Sequence, residues 1–125
     1  MKTNQEAITA ITQVLHHYFK GIYEGDTILL GSTFHPGILL FGDIKGQPYA
    51  KTLDQYLGGV QSRKSPKDSG QPFTSDIISI DAVNSIAIAK VRVQMYDFNY
   101  YEFLSFHQVN GKWLIVNKMI THVDE

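Results

Sequence analysis

Lys118 stands between Val116 and Ile120 in an alternating pattern that places all three on one face of a strand, and that face is otherwise largely apolar. An ammonium group in such surroundings is costly unless it is paired. It can meet an anionic or carbonyl-bearing ligand, or lose its proton to burial and act as a base. Alternatively it salt-bridges Asp43 or Glu24, or snorkels out of a cavity mouth. Ser105 and His107 fall on the same expected face, and His122 lies two residues beyond Ile120. A histidine there serves as acid, base or pH-dependent anion binder, or is simply a hydrogen-bonded structural residue. His35 precedes Pro36-Gly37 in a turn, where it faces a cavity mouth or caps the preceding helix. Tyr18, Tyr56, Met95, Tyr101 and Phe103 would line an aromatic pocket suited to a flat ring, or form core. His16 and His17 are adjacent on a helix and point about 100° apart, so they cannot share a metal. No histidine and carboxylate spacing matches a metal motif, and no cofactor is implied.

These side chains must be positioned by helices first and strands last. Ile8, Ile11, Leu15, Tyr18, Phe19 and Ile22 recur at helical spacing behind a capping box at Thr3 and Glu6, which predicts a helix over about 4 to 23. Gly25 ends it, and Asp26 caps a short second helix through Leu30 to Thr33. A strand is expected at 38 to 44. Thr52 and Gln55 then open a third helix carrying Leu53, Tyr56, Leu57 and Val60, despite Gly58-Gly59. Segment 62 to 72 reads as a polar loop. Its cations Arg63, Lys64 and Lys67 form a solvated surface or, alternatively, a phosphate site. Strands follow over about 73 to 81, 85 to 96, 100 to 109 and 112 to 122, which makes the class α+β.

Asn110-Gly111 between alternating runs is a strong hairpin signal, because both residues tolerate positive φ. A two-residue turn there, with a three-residue turn at Asp97 to Asn99, puts Ala89, Val91, Val93, Met95, Tyr101, Phe103, Ser105, His107, Leu114, Val116 and Lys118 on a concave face. A β-bulge would shift part of that assignment. The opposite face then carries Leu104, Phe106, Trp113 and Ile115, rimmed by Lys90, Arg92, Glu102 and Asn117. This is the anatomy of a homodimer interface, unless a loop of the same chain covers it.

With 125 residues, 43% of them hydrophobic, the chain suffices for one domain. A formal charge of -1 offers no long-range attraction for nucleic acid or an anionic membrane. Without cysteine there is neither disulfide nor thiolate chemistry. The absence of an apolar signal core or an 18-residue apolar run makes a cytoplasmic protein the expectation.

The helix with YFKGIYEGD, the FHP turn, RKSP after a third helix, then SIDAVNSIAIAKV and FLSFHQVNGKWLIVNK together resemble the NTF2-like superfamily, most closely its "putative lumazine-binding", SnoaL-like branch. The resemblance implies a cone in which a strongly curved, mostly antiparallel sheet wraps three N-terminal helices and leaves a cavity at the open end, with dimerisation commonly through the outer sheet face. The superfamily includes isomerases, dehydratases, cyclases and non-catalytic binding or assembly domains. Its steroid-isomerase-like members pair a helix tyrosine with inward carboxylates, whereas here Glu102 is expected on the outer face. The leading expectation is a cavity binding a planar or anionic small molecule around Tyr18, His35, Tyr56, Met95, Tyr101, Phe103, Ser105, His107 and Lys118. One alternative is an acid-base enzyme using Lys118 or His107 with Tyr18, and another is an assembly domain acting through its outer face.

Overall fold

The computed structural model describes residues 4–125. Helix α1 (Asn4–Glu24) buries Ala7, Ile11, Leu15, Tyr18, Phe19 and Ile22 along one stripe, as the spacing predicts. The capping box expected at its start involves Thr3, which lies outside the described residues. Asp26 caps α2 (Thr27–Gly31), its Oδ1 accepting from the Leu29 N–H at 3.0 Å. Helix α3 (Leu53–Ser62) begins with the complete capping box of Thr52 and Gln55. The segment expected to be loop contains a single further turn of helix, α4 (Pro66–Ser69), capped by Ser65.

Six strands form one curved, unclosed sheet in the order β2-β1-β6-β5-β4-β3. They are β1 (Phe34–Ile44), β2 (Gln47–Thr52), β3 (Phe73–Val83), β4 (Ile86–Met95), β5 (Phe98–Val109) and β6 (Lys112–His122). All pairings are antiparallel except β1 with β6. Strand β2 is unannounced by the sequence pattern, since Pro48 interrupts it and the turn before it is Lys45-Gly46. Proline is tolerated because β2 is an edge. Register shifts in β1, β3 and β6 add local twist, and the helices pack into the resulting concavity.

Two local features reassign the faces of β5 and β6. The turn between β4 and β5 has two residues, Tyr96 and Asp97, so Met95 opposes Phe98, and Tyr96 takes a φ of +54°. One residue fewer than expected inverts the alternation of β5. Tyr100, Glu102, Leu104 and Phe106 therefore face inward, whereas Phe103 and His107 are exposed on the outside. The Asn110-Gly111 turn forms as predicted, with Val109 opposite Lys112 and His107 opposite Leu114. Beyond it, Phe106 opposes Ile115 but Ser105 opposes Asn117, so Val116 is bulged out of register. Lys118 and Ile120 consequently rejoin the inner face on which Trp113 and Ile115 already lie. The inward position of Lys118 is as expected, but for a different reason: two deviations cancel.

The expected interface residues are thus misplaced. Leu104, Phe106, Trp113 and Ile115 are at most 4% exposed and belong to the core beneath the helices. The outer face instead presents Leu39, Phe41, Ile86, Ile88, Phe103 and Met119. Phe41, Met119 and Phe103 are direct neighbours across three strands.

Gly42 marks the closest backbone approach. At φ +151°, a Cβ on it would lie 1.8 Å from the Ile120 carbonyl oxygen on the adjacent strand. Gly42→Ala is expected to cost at least about 2 kcal/mol in urea unfolding. By contrast Gly58, with open space where its Cβ would be, is expected to gain up to about 1 kcal/mol on substitution by alanine. Equal midpoints for the two variants would contradict this account of β1 and β6.

Candidate functional site

A partly enclosed cavity of about 210 Å³ lies on the inner face of the sheet, between α3, the β1–β2 hairpin and strands β4 to β6. Helix α3 contributes Tyr56 and Val60, the hairpin Ile44, Tyr49 and Lys51, and the three strands Met95, Tyr100, Glu102, Lys118 and Ile120. Arg63, the first residue after α3, closes another side.

A buried polar network forms its floor. Glu102 accepts a 2.5 Å hydrogen bond from the Tyr18 hydroxyl through Oε1, and its Oε2 lies 3.6 Å from Lys118 Nζ. The two charged side chains are 2% and 3% exposed, so solvent screens this pair little. Lys118 Nζ also donates a long hydrogen bond, 3.4 Å, to the Tyr56 hydroxyl. It lies 4.4 Å from the centre of the Tyr56 ring and 5.3 Å from that of Tyr18, within cation-π range. Sequence alternation explains the meeting. Glu102 pairs with Ile120, Lys118 pairs with Leu104, and both point inward from adjacent strands while α1 lowers Tyr18 onto them.

Protonation states follow from these neighbours. Burial pulls the Lys118 ammonium downward, but Glu102 first, then Tyr56 and Tyr49, more than reverse it, and its pKa ends above the ordinary value. Lys118 is held charged, which removes it as a neutral base. Burial, followed by the Glu102 charge, pushes the Tyr18 hydroxyl well up. Burial likewise raises Tyr49 against the opposing effect of Lys118, and it pushes Tyr100 up to about 12 against Arg63 and Lys118. The phenols are thus neutral donors at physiological pH.

Of the residues expected to line a site, Tyr56, Met95 and Lys118 do so, and Tyr18 lies directly beneath. The others are elsewhere. His35 is exposed at the start of β1 rather than in the expected turn, its Nδ1 accepting from Gly37 N–H. Tyr101 is on the outer side, donating to Glu125 at 2.7 Å, and Phe103 is exposed there. Ser105 and His107 line a shallow outer depression with Ile86 and Ile88. His122 lies away from this cavity, its Nδ1 accepting from Asn99 N–H and its Nε2 2.7 Å from Asp124 Oδ1. Neither Asp43 nor Glu24 partners Lys118: Asp43 accepts from Thr121, and Glu24 faces Lys67. Sequence reasoning missed Glu102, Tyr49 and Tyr100, and it read Arg63 as a loop cation, solvated or at a phosphate site, rather than as a wall of this cavity. The available signal for Glu102 was a lone carboxylate inside the aromatic run Tyr100 to Phe106. Among the described residues, no group of three His, Cys, Asp or Glu side chains is placed to hold a metal ion, and no helix is long and apolar enough to cross a membrane.

Residues 6–121 match the protein family described as "Putative lumazine-binding". No curated protein is significantly similar to the chain. Among solved structures, an NTF2-like protein of unknown function from Shewanella baltica OS155 superposes with a TM-score of 0.87 at 22% identity, each chain covered fully. One from Methylobacillus flagellatus KT gives 0.86 at 24% identity, covering 98% of this chain and 97% of that one. A ketosteroid isomerase-like protein from Erwinia carotovora atroseptica gives 0.72 at 13% identity, with 94% and 96% covered. At such identities the likeness establishes the shared fold.

Two predictions follow from the network. Glu102→Leu or Lys118→Met alone is expected to cost about 3–5 kcal/mol by stranding a buried charge, whereas the double variant recovers much of that loss. Additive single effects in urea titrations would contradict a coupled pair. The raised pKa values of Tyr18, Tyr49, Tyr100 and Lys118 mean that the folded chain holds protons more tightly than the unfolded one. Their contribution is complete below about pH 10, where unfolded tyrosine begins to ionise, and it is lost as pH rises through the folded values. The denaturation midpoint should therefore fall between pH 10 and 12, less steeply in Tyr100→Phe. A midpoint unchanged across that window would exclude this linkage.

Proposed function

The chain is a member of the putative lumazine-binding family, within the NTF2-like superfamily, and on that premise we propose that it binds a planar or anionic small molecule in the cavity between helices and sheet. The observation that carries this reading is the buried Lys118–Glu102 pair at the cavity floor. Well-packed apolar residues in place of such a pair are often neutral or stabilising, so stability alone gives weak reason for charge here. A ligand that uses the charge gives a stronger one. Tyr56 and Tyr100 offer flat walls, and neutral phenol hydroxyls offer donors to an acceptor-rich guest. At about 210 Å³ the space is smaller than the roughly 300–1,000 Å³ of drug-sized pockets, which favours a small ligand.

Acid-base catalysis is the second reading, supported by the Tyr18–Glu102 hydrogen bond. Glu102 on the inner face supplies the carboxylate whose apparent absence argued against isomerase-like chemistry. His107, exposed on the outside, drops out, and so does Lys118 as a neutral base. Both Glu102 oxygens are already engaged, however, so proton abstraction would require displacing one partner. Binding without turnover is therefore the leading reading.

Self-association is proposed through the corrected outer face. The continuous row of Phe41, Met119 and Phe103, flanked by Ile88 and Leu39, supports a second copy of this chain as the occupant.

Thermal-shift titration with lumazine, other planar heterocycles and small carboxylates is expected to raise the melting temperature of the wild type, and less so in Tyr100→Phe. If no compound of either class shifts the wild type, the cavity is not a binding site of this kind. For the outer face, light scattering at micromolar concentration should give a dimer for the wild type and a monomer for Phe103→Asp. A monomeric wild type sinks that proposal.

A further inference from the structure

Arg63 is the anomalous side chain of the cavity. Its place in the sequence suggested a solvated loop cation alongside Lys64 and Lys67 or, alternatively, part of a phosphate site, yet Nε and Nη2 are both buried and have no hydrogen-bond partner among the described residues. Stranded guanidinium nitrogens are expensive, because Arg cannot discard its charge. The backbone explains why the side chain is held there. Arg63 ends α3, its N–H donating to the Gly59 carbonyl, and its extended conformation turns the chain away from the helix axis. Its guanidinium carbon lies 5.8 Å from the centre of the Tyr96 ring, and the Tyr96 hydroxyl is itself anchored on the Lys64 carbonyl. The positive-φ turn at Tyr96 that inverts β5 thus also braces Arg63.

The two orphaned atoms are informative as a pair. Nε and Nη2 make up one edge of the guanidinium, with two N–H bonds directed side by side, the spacing that two oxygens of one acid group match. No carboxylate in the described structure fills that role, since Glu102 is committed to Tyr18 and Lys118. With Lys118 and Glu102 offsetting each other, Arg63 and the half-buried Lys51 leave the cavity with a surplus of positive charge. Burial raises the Tyr100 and Tyr49 hydroxyls, and the Arg63 charge opposes that rise in both.

We propose that Arg63 is the anchor of the cavity's ligand, gripping a carboxylate through its Nε–Nη2 edge while the rest of a small planar acid lies against Tyr56 and Tyr100. This inference rests on the ligand-binding reading above and narrows it to the anionic branch. One guanidinium edge is matched by two oxygens of either acid, and a flat carboxylate is favoured over a tetrahedral phosphate because the space is small and walled by the Tyr56 and Tyr100 rings. Lys51 at the rim steers the charge inward without needing to touch it.

The test is calorimetric titration of the full chain with paired probes, planar carboxylates such as benzoate and cinnamate against their neutral amides, with inorganic phosphate as a further arm. Wild type is expected to bind a carboxylate about 10- to 100-fold more tightly than its amide. Arg63→Gln removes that preference, and Arg63→Lys restores it only in part because an ammonium lacks the fork. A second readout needs no ligand. Arg63→Gln in the free protein should melt at or above the wild-type temperature, since two buried guanidinium nitrogens without partners have been removed from a half-buried side chain, whereas a structural arginine would lower it. Carboxylate preference that survives Arg63→Gln overturns the assignment, as does a lowered melting temperature for that variant. Tighter binding of phosphate than of any carboxylate overturns the choice of acid group. If amides bind as well as acids, this inference fails and the cavity reading stands; if neither set binds, the cavity reading fails and takes the inference with it.

Discussion

The constraint on which the register of β5 and β6 depends is keeping Lys118 and Glu102 together out of water. The pair sits on adjacent strands, with Tyr18 of α1 closing over the second carboxylate oxygen, so helix and sheet are joined by polar contacts at less than 4% exposure. A buried pair of this kind adds little net stability but penalises every arrangement that separates its members. It thereby acts as a check on register. Slipping either strand by one residue would move one charge to the outer face and leave the other unpaired. The bulge at Val116 is the device that satisfies this constraint. Without it, the alternation set by Trp113 and Ile115 would carry Lys118 outward.

The same constraint shapes the chemistry of the cavity. Glu102 keeps Lys118 protonated, and burial moves the Tyr18 and Tyr100 hydroxyls further up, so these groups offer hydrogen-bond donors rather than bases. The internal ion pair is self-contained, and the guanidinium of Arg63 is not. A site of this composition is better suited to holding an anion than to abstracting a proton. The shared fold at 22–24% identity accounts for the cone and its concavity, while ligand chemistry is written in these few side chains.

Local order was legible where a residue's own chemistry sets the backbone. Asp26 and the Thr52–Gln55 box cap their helices as read, and Asn110-Gly111 forms its turn. Legibility failed where a local conformation was imposed on unmarked residues. Tyr96-Asp97 holds a positive φ without glycine or asparagine, Pro48 disguises an edge strand, and nothing in the run around Val116 marks a bulge. In the site, Lys118, Tyr56 and Met95 were recognisable, but Glu102 was placed outside. The inner side of β5 holds Phe98, Tyr100, Leu104 and Phe106 beside the one charge, so composition leaned toward the observed face, but the turn length, read as three residues instead of two, set the parity the other way.

Determined by the sequence alone were the short-range facts: the α1 stripe, the capped helices, the strand-rich second half and a cation amid apolar neighbours. These depend on periodicities and caps that act within a few residues. The tertiary structure alone decided which face of β5 looks inward, that Glu102 rather than Asp43 or Glu24 meets Lys118, and that Arg63 borders a cavity. The face of a strand is a parity, and each turn residue or bulge reverses it. Its value is chosen by the packing of the whole sheet against α1 rather than by any residue in the strand.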